Sequence, residues 1–143
     1  MANHYVSEMD EIKSPRIMKI IFVVNNVGFF VSHRLPIALA AIDKGNQVFL
    51  ITGKAGSKII ETNALDKIKD TGIVHISTSF QSSGFNIFFE LYGFFSIFLN
   101  IKRIVPDIVH CVSPKGIMYG GLVSRLLDVK GLVLAVSGQG SLF

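Results

Sequence analysis

The chain has 143 residues, half of them hydrophobic and 17% charged, with a mean hydropathy of +0.51; that is one domain with room for a core, greasier than an ordinary soluble domain. The net charge of +4 is not gathered into a Lys/Arg stripe interleaved with aromatics. That argues against nucleic acid as a partner and leaves anionic lipid or a diphosphate open. Cys111 is the single cysteine, which excludes an internal disulfide and a cysteine-based zinc site and fits a reducing, cytoplasmic setting.

In chain order, residues 1–16 are polar and acidic, lack a basic-then-apolar secretory pattern, and read as a flexible tail. Residues 18–24 form an apolar, β-branched run suited to a strand buried on both faces. Leu35, Leu39 and Ile42 have helical spacing, which predicts a helix over 32–44 that Gly45 stops. Strand 47–51, a polar helix 57–69 and strand 72–76 follow, and then a Ser/Thr/Gln/Gly loop over 77–84. A long apolar helix is expected from Asn86 to Ile104, ahead of Pro106. Strand 107–112, a small-residue helix 117–127 and strand 132–136 complete the pattern. Alternation with short connections predicts an α/β fold, a doubly wound Rossmann-like parallel sheet in the order 3-2-1-4-5. No run reads as a transmembrane helix.

Several segments sit where a strand gives way to a loop or helix, which is where open α/β sheets bind ligands. After the first strand comes Asn25-Asn26-Val27-Gly28. Gly28 permits a positive φ or close approach of a ligand, and a helix start offers unpaired N–H groups to an anion. A plain turn fits equally well, and the three spaced glycines of a dinucleotide site are missing. His33 and Arg34 fall in the expected first helical turn, where two cations oppose the helix dipole. A solvated pair is one reading; relief by an anionic ligand is the other. His110, inside a strand, reads as a core residue. Lys115, between Pro114 and Gly116, is expected to project from a turn into the crevice unless it is an ordinary solvated lysine. Ser137, Gly138 and Gly140 make a backbone able to lie flat on a substrate or a second domain, or else a flexible end.

The long helix is too apolar for one sheet face. Asn86, Glu90, Gly93, Ser96 and Asn100 fill an arc of only roughly 120°. The rest is apolar and includes Phe88, Phe94, Phe95 and Phe98, more than a sheet-covering stripe needs. Lys102 and Arg103 flank its end, as on an interfacial helix at an anionic membrane. Paired catalytic carboxylates, a nucleophile with a triad, and a His/Asp/Glu metal cluster are not found in the sequence.

Taken in order, Gly28, His33-Arg34-Leu35-Pro36, Gly84-Phe85-Asn86, Pro106-Asp107-Ile108-Val109-His110 with Lys115, and Ser137-Gly138-Gln139-Gly140 resemble the N-terminal, acceptor-binding half of family 4 glycosyltransferases of the GT-B fold. Those bacterial enzymes build capsule, O-antigen or lipid-linked oligosaccharides. The resemblance covers residues 19–143 and places the domain at 17–143, without the family's donor-binding C-terminal domain. It implies a retaining transfer from a nucleotide sugar to a lipid-linked or saccharide acceptor, with no cofactor and no metal at the reaction centre. Acceptor contacts would fall on His33, Arg34, Asn86 and Lys115, and cleft or donor-diphosphate loops on Asn26, Gly28, Ser137, Gly138 and Gly140. Membrane contacts would fall on Phe88, Phe94, Phe95, Phe98, Lys102 and Arg103, at the cytoplasmic face of the plasma membrane. The chain departs from the family pattern at Gln81-Ser82-Ser83, where an arginine is usual, and at Gln139 and Ser141. The half would be inactive alone and would need a donor domain from a longer gene or a partner polypeptide. The alternative is a non-catalytic membrane-docking module or the remnant of a truncated gene. A nucleotide-binding Rossmann domain is disfavoured.

Overall fold

The structure is a computed structural model that describes residues 16–81 and 86–136. In order, the elements are β1 (Lys19–Val24), α1 (Val27–His33), α2 (Leu35–Asp43), β2 (Gln47–Lys54), α3 (Lys58–Ile68) and β3 (Val74–Gln81). There follow α4 (Ile87–Ile104), β4 (Ile108–Val112), α5 (Pro114–Leu126) and β5 (Gly131–Ala135). The strands make one sheet in the order β3-β2-β1-β4-β5. Every pair is parallel, with Phe22 opposite Leu50 on one side and His110 on the other. The expected topology is the observed one.

Alternate residues of the central strands feed two cores, as a period-2 pleat requires. Ile21, Val23, Ile51, Phe80, Val109 and Cys111 face one core together with Ile97 and Ile101 of α4 and Val123 of α5. Phe22, Val24, Val48, Leu50 and Val112 face the other, with Val27 and Phe30 of α1, Ala38 of α2 and Ala64 and Ile68 of α3. Helices α4 and α5 thus share one face and α1 to α3 the other. Helix α5 lies very close to the sheet: a Cβ on Gly116 would stand 2.6 Å from the Val23 carbonyl oxygen, and one on Gly120 would stand 2.7 Å from Cys111 Sγ. Burial pushes the Cys111 thiol up to about 12, so it is an inert core group.

Four expected elements differ. The helix expected over 32–44 is two helices, with Arg34 as both the C-cap of α1 and the N-cap of α2. Phe30, fully buried and edge-on to Phe22 at 5.5 Å, draws the chain into a helix one turn early. β2 runs on to Lys54 and β3 to Gln81, so residues 77–81, expected as a loop, are strand. Thr78 Oγ1 donates to Thr52 O at 2.9 Å, and Phe80 is fully buried. Tertiary burial overrides the polar composition there. Finally, α5 starts at Pro114, which is favoured at the first helical position.

Candidate functional site

Strand order reverses between β1 and β4, so the loops leaving their C-terminal ends flank a crevice at a topological switch point. Its floor is drawn tight by Ser113, whose Oγ accepts from Asn25 N at 3.1 Å and donates to Val112 O. Ser113 has φ 71° and ψ 157°, a region that almost only glycine occupies and that costs about 1–3 kcal/mol. Beside it, Asn25 Oδ1 is buried with no partner among the described residues. Strain and an orphaned acceptor at one switch point make this crevice the candidate site for a ligand.

The crevice's charged group is a pair. Glu90, in the first turn of α4, is 4% exposed. It accepts from Lys115 Nζ at 2.8 Å and from the Tyr119 hydroxyl. Burial and the adjoining Glu90 carboxylate push Tyr119 up to about 12, so it stays a phenol donor. Lys115 lies in the first turn of α5 rather than in a loop, and its amine is held by Glu90 rather than projecting freely. Glu90 also sets the orientation of α4. Glu90 and Gly93, two members of its polar arc, face the sheet with Ile97, Ile101 and Ile104. Phe88, Tyr92 and Phe95 face out.

Other expected site residues have local structural work. Asn26 caps α1, its Oδ1 accepting from Phe29 N at 2.9 Å, and Asn86 caps α4 by accepting from Phe88 N at 3.1 Å. Gly28 is helical and not at positive φ; a Cβ there would meet Ile60 Cγ2 at 2.9 Å. The glycine lets α1 pack on α3 and is not a ligand approach. His33 ends α1 instead of starting a helix, so its position suits the dipole and the expected repulsion is absent. Its ring is exposed, stacked on Phe29 at 4.3 Å. Arg34 does cap the N-terminus of α2; its Nη1 donates to His33 O at 3.0 Å, while its Nε is buried without a partner among the described residues. His110 stacks on Phe22 at 5.0 Å, and its pKa is lowered by burial and then by the nearby Arg34 charge. Ser137, Gly138 and Gly140 lie outside the described residues.

Of the expected membrane-contact residues, Phe88 is 79% exposed and Phe95 62%. Lys102 and Arg103 are exposed as well. Phe94 and Phe98 are half-buried against the core instead, because they lie on the flank of α4 that meets α5; Phe94 sits edge-on to Tyr119 at 6.2 Å. Tyr92 and Leu99 are exposed in their place, and α5 adds exposed Met118, Leu122 and Leu126. No helix among the described residues is long and apolar enough to cross a membrane.

Sequence reasoning named Asn25 only as part of the loop after the first strand and missed Ser113, Glu90 and Tyr119 as crevice residues. For Glu90 and Tyr119 a signal existed: a lone acid in an apolar helix, and a tyrosine one turn after a lysine, each ask for a buried partner. The backbone strain at Ser113 has no sequence signal.

The Glycosyl transferase 4-like family model matches residues 19–142. The chain belongs to that family. Among solved structures, MurG of Acinetobacter baumannii is similar with a TM-score of 0.64 and 20% identity over 83% of this chain and 35% of that one. A Listeria monocytogenes protein described as a UDP-N-acetylglucosamine 2-epimerase gives a TM-score of 0.63 at 13% identity, over 90% of this chain and 35% of that one. GalB, a 4-carboxy-2-hydroxymuconate hydratase of Pseudomonas putida, gives 0.59 at 10% identity, over 76% of this chain and 55% of that one. At these identities the likeness is one of fold, and this glycosyltransferase 4-like chain spans about a third of the MurG chain. No curated protein matches it by sequence.

Proposed function

We propose that this domain is the acceptor-binding half of a retaining glycosyltransferase that moves a sugar from a nucleotide sugar to a lipid-linked or saccharide acceptor. The observation that carries the reading is the crevice at the β1–β4 switch point, strained at Ser113 and furnished with the Glu90–Lys115–Tyr119 cluster, in a chain of the glycosyltransferase 4-like family. Arg34 supplies positive charge to an anionic acceptor, with Lys115, His33 and Asn86 as further acceptor contacts and Asn26, Ser137, Gly138 and Gly140 as donor contacts. The donor's nucleotide is bound by a second domain, in a longer chain or a partner polypeptide, because transfer needs both substrates held in one closed cleft.

The outer face of α4 rests on the inner surface of the cytoplasmic membrane, where a lipid-linked acceptor resides. Its exposed Phe88, Tyr92, Phe95 and Leu99 support this, with Lys102 and Arg103 at the helix end. That same face favours a second reading, a membrane-docking module without catalysis.

The test is transfer in trans. The purified chain is mixed with a separately produced nucleotide-sugar-binding domain and a polyprenyl-diphosphate-sugar acceptor, and product is followed by radiolabel. Turnover that requires both proteins and falls in Lys115→Ala supports the enzyme reading. Acceptor and vesicle binding with no turnover under any pairing supports the docking module.

A further inference from the structure

Arg34 Nε and His110 Nε2 are both buried without a hydrogen-bond partner among the described residues, and packing sets their side chains together. His110 stacks on Phe22 at 5.0 Å, and Phe22 meets Phe30 edge-on at 5.5 Å. Arg34 follows Phe30 by one helical turn, its backbone N donating to Phe30 O at 2.7 Å. The guanidinium lies near enough to lower the His110 pKa, second to burial. No described carboxylate pairs with Arg34.

The face around this pair is open. Helices α1 to α3 pack mainly over β1 and β2 on this side, and α4 and α5 cover the opposite side. Val133 of β5, the registered neighbour of His110, is 43% exposed. His110 stands two residues before the end of β4, about 7 Å below the crevice, so the bare strip of β4 and β5 leads from one to the other. Both nitrogens are shielded, and entry of a ligand moves the Arg34 side chain. That side chain is held by one hydrogen bond among the described residues, from Nη1 to His33 O at 3.0 Å.

We propose that Arg34 and His110 clamp one phosphate of a diphosphate-bearing acceptor. A guanidinium nitrogen only donates, and an imidazole nitrogen donates in the protonated ring and in one neutral tautomer. Two donors set together call for a group that only accepts, and the unpaired charge of Arg34 makes that group an anion. Phosphate oxygens match the guanidinium fork. Lys115 is less suited, because Glu90 offsets its charge. The inference rests on the reading of the domain as an acceptor-binding half; it adds the chemical group recognised, its position and His110 as a contact. It also creates a proton linkage. Phe22 and Val133 flank the imidazole from β1 and β5, and Arg34 is the charged group that faces it among the described residues. A phosphate between the two side chains offsets the Arg34 charge and raises the His110 pKa, so affinity rises as the pH falls.

The test is calorimetric titration of the full chain with inorganic pyrophosphate, with uridine diphosphate, and with the polyprenyl-diphosphate-sugar acceptor in detergent. Arg34→Lys and His110→Leu should each weaken pyrophosphate and acceptor binding by about tenfold. His110→Gln keeps a donor that does not titrate; it should bind within about threefold of the native chain at neutral pH and lose the extra tightening below the imidazole's ordinary 6.5. Lys67→Ala, exposed on α3, should change nothing by more than about twofold, the size of a general charge effect. Unaltered circular dichroism and melting separate lost binding from lost fold, and the pH contrast with His110→Gln is a readout that lost packing does not give. Acceptor binding that survives both Arg34→Lys and His110→Leu overturns the clamp and leaves the acceptor reading standing, as does a loss of equal size in Lys67→Ala. Tighter, variant-sensitive binding of uridine diphosphate, displaced by pyrophosphate, overturns the acceptor assignment, since the phosphate is then the donor's. Pyrophosphate binding with no binding of the acceptor overturns the acceptor-half reading itself.

Discussion

Glu90 is the residue on which the crevice depends. Its carboxylate is almost wholly out of water, and two donors from α5 answer it. Glu90→Ala takes the carboxylate away from the Lys115 ammonium, whose side chain is 19% exposed, and should cost about 3 kcal/mol. Differential scanning calorimetry should then show a melting point lower by roughly 10 °C; Glu90→Gln, which keeps an acceptor, should lose less. Two histidines give the pH dependence. His75, in contact with Thr52 Oγ1 at 2.8 Å, has its pKa lowered by burial, partly offset by Glu61. His110 is lowered by burial and then by Arg34. For a base held below its ordinary value of 6.5, the unfolded chain binds the proton more tightly. Stability is therefore full above about that pH and falls as the pH drops through the folded pKa values. Melting points measured from neutral to acid pH should decline, and His110→Leu should flatten part of the slope. A slope unchanged in both His75→Gln and His110→Leu would remove these two groups from the account.

Helices α4 and α5 are amphipathic in different ways. α5 reaches the sheet through Gly116 and Gly120, so Gly120→Ala forces a methyl to 2.7 Å from Cys111 Sγ and 3.1 Å from Val23 Cβ. Overpacking of that kind costs about 1–3 kcal/mol, which urea unfolding would read as a lower midpoint. α4 divides its aromatics by depth. Phe88→Ser with Phe95→Ser should abolish vesicle binding at unchanged stability, because both side chains are mostly exposed. Phe98→Ser, half-buried against the core, should cost about 2 kcal/mol. If Phe98→Ser left the melting point alone while the exposed pair lowered it, the depth assignment of α4 would be inverted.

At the scale of the whole molecule, one sheet carries a crevice at its C-terminal edge and, on one side, a helix with an exposed aromatic face. Joined to a donor-binding partner, the domain should work through the crevice and be held at the membrane by the exposed face of α4. Lys115→Ala should raise the acceptor KM or lower kcat in the trans assay. Lys102→Ala should leave the rate unchanged with a water-soluble acceptor and reduce it only with acceptor in anionic vesicles. A loss of equal size in both settings would tie Lys102 to the chemistry instead.

Apolar β-branched runs separated by helical spacing determined the parallel sheet, its order and its strand ends near the β1–β4 switch point. Those features depend on local pattern and on the handedness of crossovers. The ordered motifs pointed to the family whose model matches residues 19–142. What side chains do across the fold was not legible. Gly28 looked like a ligand approach and is a packing contact with Ile60. His33 looked misplaced until Phe30, buried against Phe22, moved the helix boundary. Asn26 and Asn86 looked like ligand contacts and cap helices. Lys115 acquires its partner from a helix 25 residues earlier in the chain, and the strain at Ser113 exists only where two strands meet. Sequence pattern determines which backbone forms where; contacts between elements distant along the chain, set by packing, decide which polar groups remain for a ligand.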